Sequence, residues 1–125
     1  MSGFIKFFFS LQLNLKLYHW MTTKHPRHLA SDKLFSDLAD LVDQFIEVYI
    51  GKYGRPKMSE FDIKVINLSD KSIIDFLKLA IEKLSVKLSV KFPDSIDLTL
   101  DTDLLNIRDE IIGSINRTLY LFTLE

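Results

Sequence analysis

The feature that most constrains the fold is the division of the chain into segments of roughly 20 residues, since segments of that length exceed ordinary strands and suit bundle helices. The first break, at 24–27, contains Pro26, and a proline disfavours helix at the residue before it. The second, at 51–56, combines two glycines with a proline. The third is Phe-Pro-Asp-Ser at 92–95. Together the three breaks predict four helices.

Apolar residues recur every three or four positions within each segment, which places them in one stripe along a helix. The stripes are Phe4, Phe8, Leu11, Leu15 and Tyr18 in segment 4–22; Leu34, Leu38, Leu41, Phe45 and Tyr49 in 28–50; Ile73, Ile74, Leu77, Ile81, Leu84 and Leu88 in 70–91; and Leu104, Ile107, Ile111, Ile115, Leu119 and Phe122 in 104–122. Ser69 or Asp70 is a suitable N-cap for the third helix. The pattern predicts an all-α fold, an up-down-up-down four-helix bundle forming one domain over residues 1–125. The longest connection, 51–69, has room for a short extra helix at 58–65.

Two stretches allow a second interpretation. Leucine alternates with polar residues over 11–17, and apolar residues alternate again over 84–90. Alternation at period two is typical of a half-buried strand. The alternative fold is therefore an α+β domain with strands at 11–17 and 84–90, although the length of the segments favours helices.

Composition excludes several classes of function. The absence of Cys excludes disulfides, iron–sulfur clusters, thiolate zinc sites and thiol nucleophiles. The 16 Lys and Arg nearly balance the 17 Asp and Glu, and a net charge of −1 provides no general field for nucleic acid or an anionic membrane. Gln12, Asn14 and Lys16 interrupt the apolar start too early for a secretory signal, and no apolar run is long enough to span a membrane. We therefore expect a soluble, cytoplasmic protein with no membrane partner.

Residues with metal-binding chemistry are concentrated around the second segment. The candidates are the three histidines, His19, His25 and His28, and three carboxylates of the following segment, Asp32, Asp43 and Glu47. His28 and Asp32 are four residues apart, as are Asp43 and Glu47, so each pair lies side by side on a helix. At about 100° per residue, all four share a face roughly opposite the apolar stripe. The other interpretation of this face is a solvated polar surface.

Distance along the helix limits how these side chains could hold a metal ion. Asp32 and Asp43 are 11 residues apart, about 16 Å along the axis, so one ion cannot contact both in one chain. A second copy of the helix, antiparallel across a two-fold axis between positions 37 and 38, would bring the 28/32 pair of one chain against the 43/47 pair of the other. Ala39 would permit this close approach. The predicted dimer contacts are Phe35, Val42 and Ile46.

The spacing is similar to that of the Dps family, the ferritin-like DNA-protection-during-starvation proteins. The matching elements are His19-Trp20, His-x3-Asp at 28–32, an interval of 11 residues, and Asp-x3-Glu at 43–47. The resemblance implies a ferritin-like bundle that binds iron between subunits and oxidises Fe²⁺ to Fe³⁺, for storage or oxidative protection. The implied metal ligands are His19, His28 and Asp32 from one chain, and Asp43 and Glu47 from its mate. A two-fold dimer and a larger closed shell are implied as well.

The match is to a short form of the family. Poorly characterised phage and virus relatives have the same His-Trp and Asp-x3-Glu pattern followed by Tyr-x-Gly, here Tyr49-Ile50-Gly51. A viral protein of this kind could also be associated with the virion. His19 and His28 are closer in sequence than in typical Dps proteins, which indicates a trimmed turn. The Lys-rich tail with which some Dps proteins hold DNA has no counterpart before Phe4, so we expect no DNA partner.

Other features have both an ordinary and a functional interpretation. The second hypothesis for the whole chain is a non-catalytic ferritin-like bundle used as an assembly module, for example in a virus particle. Trp20 is expected to pack inside the protein, and His25 to lie in a surface loop. The aspartates near the last break are expected to have capping roles or, alternatively, to form an acidic funnel for Fe²⁺: Asp94, Asp97, Asp101 as N-cap of the last helix, and Asp103.

Overall fold

A computed structural model describes residues 3–87 and 100–124 of the chain. The four α-helices are α1, Gly3–Met21; α2, His25–Tyr53; α3, Ser72–Glu82; and α4, Thr102–Leu121. A π-helical segment, Lys83–Lys87, continues α3. None of the described residues lies in a β-strand, so the all-α prediction is confirmed for this part of the chain. The predicted strand at 11–17 is wrong because these residues lie inside α1; the other, at 84–90, is π-helical as far as 87, and 88–90 lie outside the described residues.

The helical stripes form the core of the bundle. The stripe of α1 is confirmed in full, and most members of the other stripes are buried with it: Phe4, Phe8, Leu11, Leu15, Tyr18, Leu34, Leu38, Phe45, Tyr49, Ile73, Leu77, Leu84, Leu104, Ile111, Ile115 and Phe122. Aromatic rings join α1 to α2, with the Phe8 and Phe45 ring centroids 5.3 Å apart. Burying side chains of this size is the main favourable contribution to folding. Among the remaining stripe residues, Leu88 lies outside the described part of the chain.

The first two predicted breaks coincide with helix ends. Pro26 lies in the first turn of α2, where a backbone N–H would have no partner within the helix, so the lack of an N–H in proline costs nothing there. Gly54 ends α2 with φ 82, a left-handed backbone that favours glycine, and its N–H donates to the Ile50 carbonyl at 2.8 Å. The N-cap position of α3 is Lys71, neither Ser69 nor Asp70 as predicted, and Lys71 makes no side-chain capping bond. Ser69 Oγ nevertheless accepts a hydrogen bond from the Ser72 N–H at the start of α3. None of the helices in the described residues is long and apolar enough to cross a membrane.

The direction of α3 differs from the predicted up-down-up-down order. The connection 54–71 passes along α1, since the Phe61 ring lies 6.0 Å from that of Phe9 and Tyr18 donates to Asp70 at 2.8 Å. Helix α3 therefore begins at the end of the bundle where α2 begins, and it runs parallel to α2. Helix α4 then runs parallel to α1, which makes the order up-down-down-up. α2 packs against α1 and α4, and α3 packs against the same two helices.

The predicted short helix at 58–65 is wrong, because no helix occurs between 54 and 71. Two backbone groups of this connection hydrogen-bond to a side chain of α1. Asn14, only 2% exposed, donates from Nδ2 to the Lys64 carbonyl at 3.1 Å and accepts from the Ile66 N–H at 2.8 Å. The side-chain amide of Asn14 thus supplies the hydrogen bonds that backbone groups of a helix or strand would otherwise make, and it holds the connection against α1.

We expect Asn14→Leu to destabilise the protein by about 2 kcal/mol, because it leaves the Ile66 N–H and the Lys64 carbonyl without their partner. Chemical denaturation measures the loss, and hydrogen exchange at the Ile66 amide should accelerate. Gln12→Leu, the same kind of change on the opposite flank of α1, is the control. Equal effects of the two variants would show that Asn14 has no special role in holding the connection.

A buried polar cluster closes the bundle where α2 begins. Arg27, itself buried, donates from Nη1 to the backbone carbonyl of Asp70 and to the Tyr18 hydroxyl, and its guanidinium lies 4.7 Å from the Phe122 ring centroid. Asp70 Oδ1 accepts from Tyr18 and, at 2.9 Å, from Thr22. Burial acts to raise the pKa of Asp70, but these two hydrogen bonds and the nearby charge of Arg27 together lower it. The cluster connects α1 and α2 to the residues that directly precede α3 and follow α4.

A second cluster joins the end of α2 to the start of α4. Asp101 is fully buried; its carboxylate lies 2.7 Å from Lys52 Nζ and accepts from the Tyr53 hydroxyl at 2.6 Å. Asp101 does occupy the N-cap position of α4, as predicted, but its side chain makes no capping bond and serves these contacts instead. Asp103 binds Lys52 at 2.8 Å, which lowers the pKa of that carboxyl. Of the other aspartates considered for an acidic funnel, Asp94 and Asp97 lie outside the described residues.

Candidate metal centre

The tight turn between α1 and α2 brings two of the candidate ligands into contact. His19 lies in the last turn of α1 and His28 in the first turn of α2, with three residues between the helices. Their rings stack with centroids 4.0 Å apart and planes 18° apart. His19 is buried and His28 is half-buried. The three-residue turn between α1 and α2 therefore brings the two rings together.

Each histidine is anchored by the backbone of the other. His19 Nδ1 lies 2.8 Å from the His28 carbonyl oxygen, and His28 Nδ1 lies 3.0 Å from the His19 carbonyl oxygen. A carbonyl only accepts, so both Nδ1 atoms carry the proton, and in a neutral ring Nε2 then holds the lone pair. A bond of this kind fixes the tautomer and orientation of metal-binding histidines. The pair therefore has the protonation pattern that a metal ligand needs.

Ser31 completes this arrangement and was not a sequence candidate. Its hydroxyl lies 3.2 Å from His19 Nδ1 and donates to the Arg27 carbonyl at 2.7 Å. The only feature of the sequence that could have pointed to Ser31 is its position, about one helical turn after His28. The side chain is fully buried, so Ser31 acts as a fixed polar support for His19.

The remaining candidates fall into two places along α2. Asp32 is near the histidines, with Oδ1 3.7 Å from His19 Nε2, and its carboxylate is exposed. His25 is exposed, as predicted, but the predicted loop position is wrong, because His25 is the first residue of α2; its ring is 6.3 Å from that of His28. Asp43 and Glu47 are exposed and lie about three and four turns beyond Asp32 along the helix.

Asp43 and Glu47 belong to an open cavity of about 400 Å³ on the side of the bundle formed by α1 and α2. We call it the α1/α2 groove; its lining residues are Ile5, Phe8, Phe9, Gln12, Val42, Asp43, Ile46 and Glu47. Within the described residues of one chain, no three His, Asp or Glu side chains form a group able to hold a metal ion. Helix geometry requires this separation of the 28/32 pair from the 43/47 pair.

Two predictions about the surface need correction. Val42 was assigned to a dimer contact, but it is 8% exposed and belongs to the core cluster, because α1 packs closely over this part of α2. Phe35, Ala39 and Ile46 remain half-exposed. Trp20 was expected to be packed, but it is 65% exposed, because it follows the core residues Tyr18 and His19 and points away from the bundle.

The fold and the cluster define a class of protein, an all-α bundle with a backbone-anchored histidine pair and a nearby carboxylate at one end. The chain belongs to the family of unknown function DUF5856, whose model matches residues 19–122. It is also 31% identical over 113 residues to the uncharacterized 14.6 kDa protein in the mobD-ri intergenic region of Enterobacteria phage T4, which covers 86% of this chain and 75% of that protein. No solved structure matches the chain. The matched range spans the positions of all five predicted ligands, His19, His28, Asp32, Asp43 and Glu47.

Proposed function

We propose that this protein is a ferritin-like, Dps-type iron-binding protein that oxidises Fe²⁺ at a site shared by two chains. The observation that carries the proposal is the reciprocal anchoring of His19 and His28, which leaves both Nε2 atoms available to a metal ion. A solvated polar surface would not require two stacked, backbone-anchored imidazoles, one of them buried.

The donor set fits Fe²⁺ as substrate. Mixed imidazole and carboxylate ligands suit Fe²⁺, and His19 and Asp32 already approach one another at 3.7 Å. The residues of this chain would bind and orient the ion, and they would lower the cost of forming Fe³⁺ through the negative charge of the carboxylates. The electron lost by each ion goes to peroxide or oxygen. The up-down-down-up helix order with one long crossover is a further feature in keeping with a ferritin-like bundle.

Completion of the site requires a second chain in this proposal. Asp43 and Glu47 are exposed and are separated along α2 from the histidine pair. An antiparallel two-fold arrangement of two α2 helices supplies them to the histidines of the other chain, and two-fold dimers are the commonest soluble oligomers. Such dimers could assemble further into a shell that stores the ferric product.

Titration with Fe²⁺ under anaerobic conditions tests the site. We expect His28→Ala and Glu47→Ala each to abolish stoichiometric binding. Glu47→Ala should leave the free energy of unfolding within about 0.5 kcal/mol, because that side chain is exposed. His28→Ala should cost about 1 kcal/mol, because it removes the hydrogen bond to the His19 carbonyl and the ring stacking. Asp40→Ala, which removes an exposed carboxylate of α2 outside the ligand set, is the matched control and should bind iron normally. Unchanged iron affinity in either ligand variant would disprove the assignment.

The second candidate function is a non-catalytic assembly module. Large apolar side chains exposed on α1 and α2, such as Phe9, Trp20 and Leu29, favour it, because such surfaces often mark protein contacts. The similarity to a phage protein makes the cytoplasm of an infected cell or the virus particle the proposed location. Particles much larger than a single chain, without any iron oxidation, would support this function over the first.

A further inference from the structure

We infer that Trp20 of each chain inserts into the α1/α2 groove of a second copy and is the main apolar anchor of a two-fold dimer. The inference rests on the two-chain arrangement proposed above, and it assigns partner-binding roles to the indole and the groove that the iron ligands do not require.

The groove is suited to an aromatic side chain. Phe8, Phe9 and Ile46 contribute apolar surface to its lining, and Asp43 and Gln12 contribute polar side chains. Its volume of about 400 Å³ exceeds that of an indole ring. Sites that bury an aromatic ring and offer an acceptor to its N–H are typical of interface anchors.

Trp20 of the second copy is the side chain that we expect to fill the α1/α2 groove. It is the only tryptophan of the chain, and it is the most exposed of the large apolar side chains on α1 and α2. Lys16 lies beside it, with Nζ 5.6 Å from the Trp20 ring centroid and 4.6 Å from that of Phe35. The indole is therefore fixed on the same side of the bundle as the groove.

The register of the dimer brings the indole and the groove together. His19 contacts Asp32, so Trp20 lies at about the level of position 32 on α2. A two-fold axis between positions 37 and 38 relates position 32 of one chain to position 43 of the other. Asp43 lines the groove, so each Trp20 faces the groove of the opposite chain.

Charge supports the same pairing. Lys16 lies beside Trp20, whereas Asp43 and Glu47 are among the residues that line the groove. Docking thus brings an ammonium close to two carboxylates, and opposite charges at an interface favour the correct register. Both contacts occur twice in a two-fold dimer, which makes the surface self-complementary.

Fluorescence of the single tryptophan tests the inference directly, using the full chain without iron. At concentrations where sedimentation shows dimers, we expect blue-shifted emission and protection from acrylamide quenching. Dilution to monomers should shift the emission to the red and remove the protection, because the indole is 65% exposed in the single chain.

Substitutions give the second measurement. We expect Trp20→Ala and Phe9→Ala each to raise the dimer dissociation constant by roughly 30-fold, as for a central aromatic anchor. Tyr120→Ala, at a 62% exposed aromatic on α4, is the matched control and should leave that constant unchanged. Circular dichroism confirms that each variant is folded.

The outcomes separate this inference from the proposed function. Dimers in which Trp20 stays as accessible to acrylamide as in the monomer would overturn the inference and leave the shared iron site standing. Dimers that bury Trp20 but bind no Fe²⁺ would support the inference and overturn the iron function. A chain that is monomeric at every concentration would overturn the inference, and stoichiometric iron binding by that monomer would overturn the shared site.

Discussion

Mixing two inactive variants, His28→Ala and Glu47→Ala, should restore about a quarter of the wild-type rate of iron oxidation. Each proposed site takes His28 from one chain and Glu47 from the other. In a mixed dimer one site therefore carries both defects and the other carries none. Random pairing makes about half of the dimers mixed, and half of the sites in those dimers are intact.

The measurement compares rates before and after the two variants are dissociated and allowed to reassociate together. Exchange of subunits is checked by labelling one variant. A mixture of Asp43→Ala with Glu47→Ala is the matched control; both changes remove a ligand of the same half-site, so every site of any dimer lacks at least one ligand and no activity returns. Background rates in the first mixture, despite proven exchange, would exclude a site shared by two chains.

Removal of Arg27 should destabilise the protein by about 3 kcal/mol, which corresponds to a fall in Tm of roughly 12 °C for a domain of this size. The change deletes the donor to the Tyr18 hydroxyl and the Asp70 carbonyl, and it also deletes the cation–π contact with Phe122. Thermal and urea unfolding of Arg27→Ala measure the loss. We expect Arg27→Lys to recover only part of it, because an ammonium lacks the planar fork of donors.

The control is Arg55→Ala, at an exposed arginine of the 54–71 connection, with an expected change in the free energy of unfolding below about 0.5 kcal/mol.

The cluster of Tyr18, Arg27 and Asp70 also makes the stability of the protein depend on pH. Because the pKa of Asp70 is lowered in the folded state, its contribution is complete above the ordinary aspartate range and is lost as pH falls through the lowered pKa. Arg27→Ala should weaken this loss in acid. Equal stability of the Arg27 and Arg55 variants would show that the cluster is not important for the fold.

Local sequence was sufficient to predict the helices and their buried faces. Phe8, Leu38 and Ile111 recur within stripes whose period reflects only the geometry of one helix, so no knowledge of the neighbours is needed. Gly54 marked the end of α2 for an equally local reason, its positive φ. The separation of Asp32 from Asp43 also followed from the rise of a helix.

Contacts between distant residues decided what the sequence left open. The connection that leads to α3 contacts α1 through Asn14, which bonds to Lys64, 50 residues away, and through Tyr18, which bonds to Asp70; nothing in the local patterns indicates either pairing. Burial of Val42 and exposure of Trp20 depend on how closely α1 packs on α2. A helical period states which side of a helix is apolar, but it does not state which neighbour covers that side.

The pair of His19 and His28 depends on both the local sequence and the tertiary structure. The sequence by itself determined that His19 and His28 lie at the ends of consecutive helices, because the stripes and Pro26 fix where those helices stop and start. Only the tertiary structure decided that each ring bonds to the other's backbone carbonyl, since this depends on the path of the turn in three dimensions. Those two bonds set the tautomers and leave the Nε2 lone pair of both candidate ligands available to a metal ion.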